Sequence, residues 1–444
     1  MKTEEIIKKN RERIFREMVN ERWYPLKGGD PKDIEVIEFY PQEVSGNEPF
    51  ILKLRSVETG MVINLLLNVR DDAKDETEDS IKSGKVLIMI KKLLEDGMTS
   101  EIRFNGNGDE ILQNLGSYHA FNGNQSNSSF IINRKVIGKF FRTSSDVENP
   151  DYIIPLNLWK HTDFRNTPEP LGMITLREKE CVMTFSRFVE NEGDYWSYLN
   201  RIPEDENFIN IVMESARNIA SVTAKMHYSL STVSVEGFEA EPFNLKDIQS
   251  LGNSYRSYEE MVIELCKTRE TQSNLFHEVY IGIPVLRKAG EEFEKLMTDH
   301  FLKQRIHGDF HLGQILKTES GPQIIDFEGE PMRSIGEKSS KQSTMKDLAG
   351  LIRSFDYLCR GRMSKPGKTS KLIENLIISA YLNEMIKLNP DFRETKDLFI
   401  SVLKAFILEK AMYETIYESR NRPEWIHIPL GFIHSFINEE EGKG

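Results

Sequence analysis

The stretch Arg305-Ile306-His307-Gly308-Asp309-Phe310-His311-Leu312-Gly313-Gln314-Ile315-Leu316, followed closely by Ile324-Ile325-Asp326-Phe327-Glu328-Gly329-Glu330-Pro331, constrains this chain more than any other. Between the two lies Lys317-Thr318-Glu319-Ser320-Gly321-Pro322, a turn-rich run flanked by short apolar segments. Gly reaches backbone conformations that other residues avoid, and Pro interrupts a strand, so the segment predicts a β-hairpin. Asp309 then stands on a loop before the hairpin, and Asp326 at the end of its returning strand. His307 and His311 have no Cys or third His nearby and lie on no predicted helix, so zinc is not expected.

The layout resembles that of protein kinases, in which His-Arg-Asp-x-x-x-x-Asn precedes Asp-Phe-Gly. Gln314 falls five residues after Asp309, in the place of the kinase Asn, and Asp326 in the place of the metal-binding Asp. Phosphoryl transfer needs an aligned hydroxyl, and divalent cations to offset charge spreading onto the phosphate oxygens. Magnesium prefers hard oxygen ligands and keeps several waters. The expected roles are Asp309 as base, Gln314 and Asp326 as magnesium ligands, and Glu328 as a further ligand through water.

The 444 residues suffice for two or three domains. An amphipathic helix is expected over 3–20, then strands at 33–40, 51–55, 62–69 and 85–90, forming a helix-plus-sheet cap over 1–105. Residues 106–190 read as a second module. Its polar turn at Ser126, Asn127 and Ser128 precedes a strand bearing Lys139, and small side chains there let backbone N–H groups approach phosphates while a lysine contacts them. Around Arg187 and Val189 a hinge is expected, with backbone groups for adenine. Residues 191–444 turn mostly helical, with helices near 208–230, 255–268, 271–300, 346–361, 370–388 and 397–420. Near the end of the last, one face carries Lys410, Glu414, Glu418 and Asn421, and its neighbour Glu409, Tyr413, Tyr417 and Arg420. Carboxylates, amides, guanidinium groups and rings in one place suit a sugar.

A formal charge of -12 with no sustained basic stripe argues against nucleic acid. No apolar run approaches ~18 residues, so no membrane span is expected. Three widely spaced cysteines fit a reducing compartment, and a cytoplasmic location without an export signal is expected. Gly367-Lys368-Thr369 lacks the earlier Gly of a phosphate-binding loop and no strand leads into it.

These motifs, with Lys346-Asp347-Leu348-Ala349-Gly350-Leu351-Ile352-Arg353-Ser354-Phe355-Asp356-Tyr357 and the run from Glu409-Lys410 through Asn421-Arg422-Pro423-Glu424-Trp425, resemble the maltokinase family. That family belongs to the aminoglycoside-phosphotransferase-like small-molecule kinases. The resemblance spans essentially the whole chain. It implies an α+β, bilobal protein-kinase-like fold with an amino-terminal cap and a mostly helical carboxy-terminal lobe. It also implies ATP and magnesium as cofactors, maltose as acceptor, maltose 1-phosphate as product, and a functional link to trehalose synthase-type enzymes. His307, Glu409, Tyr413, Glu414, Glu418, Asn421, Arg422 and Trp425 are carried over as acceptor-side residues. A family Glu that pairs with the lobe lysine is replaced by Ile153, so Glu148 or Asp151 must substitute or the lysine is held differently. Related proteins with the same motifs phosphorylate glucosamine, which is the alternative acceptor. A regulatory nucleotide-binding protein with degraded catalysis is the alternative of another class.

Overall fold

The computed structural model describes residues 2–21, 23–24, 33–71, 76–97, 101–121, 127–143, 149–177, 179–205, 207–270, 272–298, 300–330, 339–363 and 366–442. Two compact units emerge. The first comprises Met1–Leu156 with Pro168–Glu190, the second Asn157–Thr167 with Asn191–Gly444.

The first unit holds two antiparallel sheets. One has strands β1 (Ile34–Tyr40), β2 (Phe50–Ser56), β3 (Val62–Val69) and β4 (Thr77–Asp79), in that order. The other runs β5-β9-β10-β8-β7-β6, built from β5 (Ile102–Gly106), β6 (Tyr118–Ala120), β7 (Ser128–Ile132), β8 (Val136–Phe140), β9 (Pro170–Leu176) and β10 (Glu180–Arg187). Successive side chains on a strand point to opposite faces. Phe50, Leu52 and Leu54 of β2, with Ile63, Leu65 and Leu67 of β3, therefore meet Ile6, Ile7, Ile14, Phe15 and Met18 of the helix Thr3–Asn20. Ile51 and Leu66 face the other way, into a core shared with Ile102, Phe130, Phe140, Leu176 and Val182. Both faces of β2 and β3 are buried, which is why their sequences read as apolar runs rather than as strict alternation.

The segment read as a strand at 85–90 is instead the helix Val86–Glu95. Its buried residues are Val86, Met89, Ile90 and Leu93, spaced by three, one and three. That is a helical stripe visible only when the apolar run is followed to Leu93. Asp79 caps the preceding turn Ser80–Ser83, so the chain enters the segment already coiled.

The second unit is mostly helical. The helix Phe208–Thr232 packs against Pro366–Leu388, and Thr344–Arg362 packs against Lys396–Asn421. The long helix expected at 271–300 breaks into Asn274–Ile281, Ile283–Gly290 and a 3-10 turn, Glu291–Leu296. Pro284 favours a fresh helix start, and Gly282 lies where a Cβ would come 2.4 Å from Ile437 Cδ1. The helix expected at 255–268 begins earlier, at Leu245, behind a reciprocal cap between Asn244 and Asp247.

The predicted hairpin is present as β13 (Ile315–Thr318) and β14 (Gly321–Ile324), following a short pair of β11 (Glu241–Pro242) and β12 (Leu302–Lys303). Its outer edges are also paired. Glu192 N donates to Lys317 O and Lys317 N to Gly193 O on one side, and Ile324 N donates to Asn166 O on the other.

Candidate active site

The hairpin register explains why Gln314 and Asp326 meet. Ile315 is paired with Ile324, so the residues just outside the pair come together at the open end. Ile325 N donates to Gln314 O at 3.0 Å, and Gln314 Nε2 donates to Asp326 Oδ2 at 2.9 Å. With the amide nitrogen committed, the Gln314 carbonyl oxygen is the end left for a cation. Asp326 adopts a positive φ of 67°, uncommon for a residue with a side chain. Strain of this kind concentrates at functional sites, where the surroundings hold it in place. A carboxylate oxygen of Asp326 and one of Glu328 lie within 4.8 Å of each other. One amide carbonyl and two carboxylates are the hard donors that magnesium takes, so these residues fit the ion.

Asp309 is fixed from below by Asp347. Both carboxylate oxygens of Asp347 are used, accepting from His307 N and Gly308 N at 2.8 Å each. His227 Nε2 lies 3.1 Å from the same carboxylate, and its Nδ1 lies 2.9 Å from the Tyr381 hydroxyl. Burial alone would raise the Asp347 carboxyl, but hydrogen bonding and charge from His227, with help from His307 and the Gly308 amide, hold it below the usual value. The His307 ring is buried between Phe310 and Phe327; its Nε2–H donates to Ile325 O at 2.9 Å and its Nδ1 accepts from Asp309 N at 3.3 Å. Two glycines permit this closeness. Gly308 has φ 87° and would put a Cβ 3.2 Å from Gly329 Cα, while a Cβ on Gly350 would meet Phe310 O at 2.5 Å.

Asp309 itself is half-buried and opens on a pocket also lined by Tyr258, Glu330, Lys346, Glu409, Lys410 and Tyr413. His311 Nε2 lies 4.0 Å from Asp309 Oδ2. Of the acceptor-side candidates, Glu409 and Tyr413 thus share a pocket with Asp309. Glu409 accepts from the Ser254 hydroxyl at 2.8 Å. Others lie elsewhere on or beyond the same helix. Arg353 Nε donates to Glu414 at 2.8 Å, and burial pushes the Glu414 carboxyl up despite that partner. Glu418 is buried and accepts from Arg422 at 2.6 and 2.9 Å and from Tyr357 at 3.1 Å. Trp425 stacks on Tyr357 at 6.3 Å between centroids, and Asn421 donates to its own helix at Tyr417 O.

In the first unit, Lys139 Nζ donates to Asp151 Oδ2 at 2.9 Å, so of the two acids expected to meet this lysine, Asp151 does so. Asn149 holds the Asp151 amide, and Asp151 sits in the first turn of the helix Pro150–His161. Glu148 and Ser126 lie outside the described residues. Asn127 Oδ1 accepts from Arg142 N at 3.2 Å, and Ser128 Oγ from Arg142 Nε at 2.8 Å. Arg187 pairs with Glu169 and Glu110 at 2.8 and 2.6 Å, and its amide donates to Glu169 O. Val189 follows the end of β10 and is half-buried.

Sequence reasoning assigned no role to Tyr258, Glu330, Lys346 or Asp347, and named Lys410 only as part of the polar helix face. Four of these lie inside or next to quoted motifs, but nothing in the sequence says that they converge.

No family model matches the chain. A glucosamine kinase of Streptacidiphilus jiangxiensis is 22% identical over 282 residues, 60% of this chain and 60% of that protein. The chain thus aligns with about three-fifths of that relative's length. A glucosamine kinase of Mycolicibacterium smegmatis is 20% identical over 337 residues, 71% of this chain and 78% of the relative. A solved glucosamine kinase in complex with glucosamine, ADP and inorganic phosphate superposes with a TM-score of 0.71 at 16% identity, covering 94% of this chain and 98% of that one. The chain therefore has that fold, the α+β protein-kinase-like architecture expected from its motifs.

Proposed function

We propose that the chain is an ATP- and magnesium-dependent sugar kinase whose first acceptor to test is glucosamine rather than maltose. The observation that carries the reading is Asp309, opening on a polar pocket from a loop that ends in the Gln314–Asp326 contact. Asp309 would take the proton of the acceptor hydroxyl, a role that needs a positioned carboxylate near the attacking oxygen. Asp347 would keep that carboxylate in place by holding the loop backbone. Lys139, oriented by Asp151, would donate to nucleotide phosphates. Gln314, Asp326 and Glu328 would hold magnesium, which when bound neutralises charge developing on the phosphate oxygens.

Two things favour the amino sugar over maltose. The relatives above are glucosamine kinases. Among the described residues, the pocket also sets three carboxylates, Asp309, Glu330 and Glu409, against two ammonium groups, Lys346 and Lys410. One carboxylate in excess suits a cationic acceptor through charge-assisted hydrogen bonds. An acceptor screen with ATP and magnesium tests the reading. Turnover on glucosamine supports it, and turnover on maltose alone restores the maltose reading. Nucleotide binding without turnover on any sugar overturns the kinase.

A further inference from the structure

Glu330 takes no part in the chemistry assigned to Asp309, Gln314 or Asp326, yet it stands on the same pocket wall as Asp309. Its side chain is only 14% exposed and reaches lysines from two different helices. Lys410 Nζ, from Lys396–Asn421, donates to Glu330 Oε1 at 3.0 Å. Lys346 Nζ, from Thr344–Arg362, lies 3.9 Å from Glu330 Oε2 and donates to Gln342 at 2.9 Å. We propose that Glu330 is a positioning residue of the acceptor pocket, clamping Lys410 and Lys346 at fixed places beside Asp309. The proposal rests on the sugar-kinase reading.

The physical case begins with the lysine side chain. Its ammonium ends a flexible four-carbon stem, so it contributes directional hydrogen bonds only when something fixes it. Lys410 is fixed from two sides, by the Glu330 carboxylate and by the Tyr413 ring, whose centroid lies 4.9 Å from Nζ. Burial works against its charge, but Glu330 foremost, then Asp309 and Glu414, push its pKa up, so it stays an ammonium. An ammonium has three donors, and among the described residues one of them goes to Glu330. The clamp thus leaves Lys410 donors in a pocket that a polyhydroxylated ligand would enter. Without the Glu330 carboxylate, Lys410 and Lys346 would lose the anionic group that they share.

The full chain carrying Glu330→Gln, which keeps the shape and removes the charge, tests this. With the sugar that the wild type turns over, the acceptor KM is expected to rise about tenfold while the ATP KM stays within about twofold. In a Lys410→Met background the same change should add less than about twofold, because residues acting through one another are not additive. Equal rises in both KM values together with a lower melting temperature, or effects that multiply in the double variant, would overturn the clamp. Amide hydrogen exchange gives a readout that needs no turnover. Exchange over 409–413 and 345–349 should quicken in Glu330→Gln, and unchanged exchange overturns the clamp by itself. Absence of turnover on any sugar by the wild type is a different failure, that of the kinase reading.

Discussion

At the scale of single residues, the proposed chemistry and its support rest on two different carboxylates. Asp309 faces the pocket; Asp347 is buried and holds the backbone of His307 and Gly308. Asp309→Ala is expected to lower kcat by about two orders of magnitude or more, with nucleotide still bound, as befits the loss of a positioned base. An equal loss of nucleotide affinity, read by calorimetry, would contradict the role. Asp347→Asn cannot accept from both amides with two oxygens, so the loop shifts, and a roughly 10- to 100-fold fall in kcat is expected from misplacing Asp309. Its effect on stability carries a pH signature. The folded-state pKa of Asp347 lies below the unfolded one, so its contribution is complete above the ordinary carboxyl value of about 3.9 and is lost as pH falls through the lower folded value. The melting-temperature gap between wild type and Asp347→Asn should narrow as the pH falls below about 4. A gap that widens in acid would show that some other group sets it.

Between elements, the decisive contact joins the helices Thr344–Arg362 and Lys396–Asn421. Arg353 is fully buried and donates to Glu414 at 2.8 Å and to Asp356 at 2.6 Å. Arg360 and the Ser370 hydroxyl also reach Asp356, but Arg353 is the guanidinium bonded to Glu414 among the described residues. Arg353→Met would leave the buried Glu414 carboxylate without its guanidinium partner, a change expected to cost about 3–5 kcal/mol. Urea unfolding measures it, and a loss under about 1 kcal/mol would mean that the pair is solvated. This network also marks where the sequence stops being informative. The hairpin is legible because Gly321-Pro322 stands between short apolar runs, and its register alone brings Gln314 to Asp326. The polar face of the Lys396–Asn421 helix is legible by its spacing. What that face meets is not: Arg353 lies 61 residues before Glu414 and Glu330 lies 80 before Lys410, and no local pattern encodes such pairings. The helix Val86–Glu95 was obscured for a different reason: the run read as a strand ends at Ile90, before Leu93 completes the helical spacing of the buried residues.

For the chain as a whole, the question is whether residues 1–97 are an appendage or part of the scaffold that carries Lys139. Two charged pairs inside the first unit bear on it. Lys53 of β2 meets Glu180 of β10 at 2.5 Å, both side chains at most 10% exposed. Asp79, at the end of β4, meets the buried guanidinium of Arg142, which also lies over the Trp23 ring at 4.5 Å. Ile51, Leu66, Val86 and Ile90 share a core with Phe130, Phe140 and Val182. A chain starting at residue 101 would expose that apolar surface and leave Glu180 and Arg142 without these partners, so it is expected to be insoluble. A soluble 101–444 fragment that melts cooperatively would make the cap an appendage after all. The single substitutions sharpen the case. Lys53→Met takes the ammonium away from a nearly buried carboxylate and should destabilise the chain by about 3–5 kcal/mol, whereas Lys53→Met with Glu180→Met removes both charges and should recover most of the loss. Equal losses in the single and double variants would mean that apolar packing alone binds the two sheets, and that the ion pair adds nothing to holding β8 and Lys139 in place.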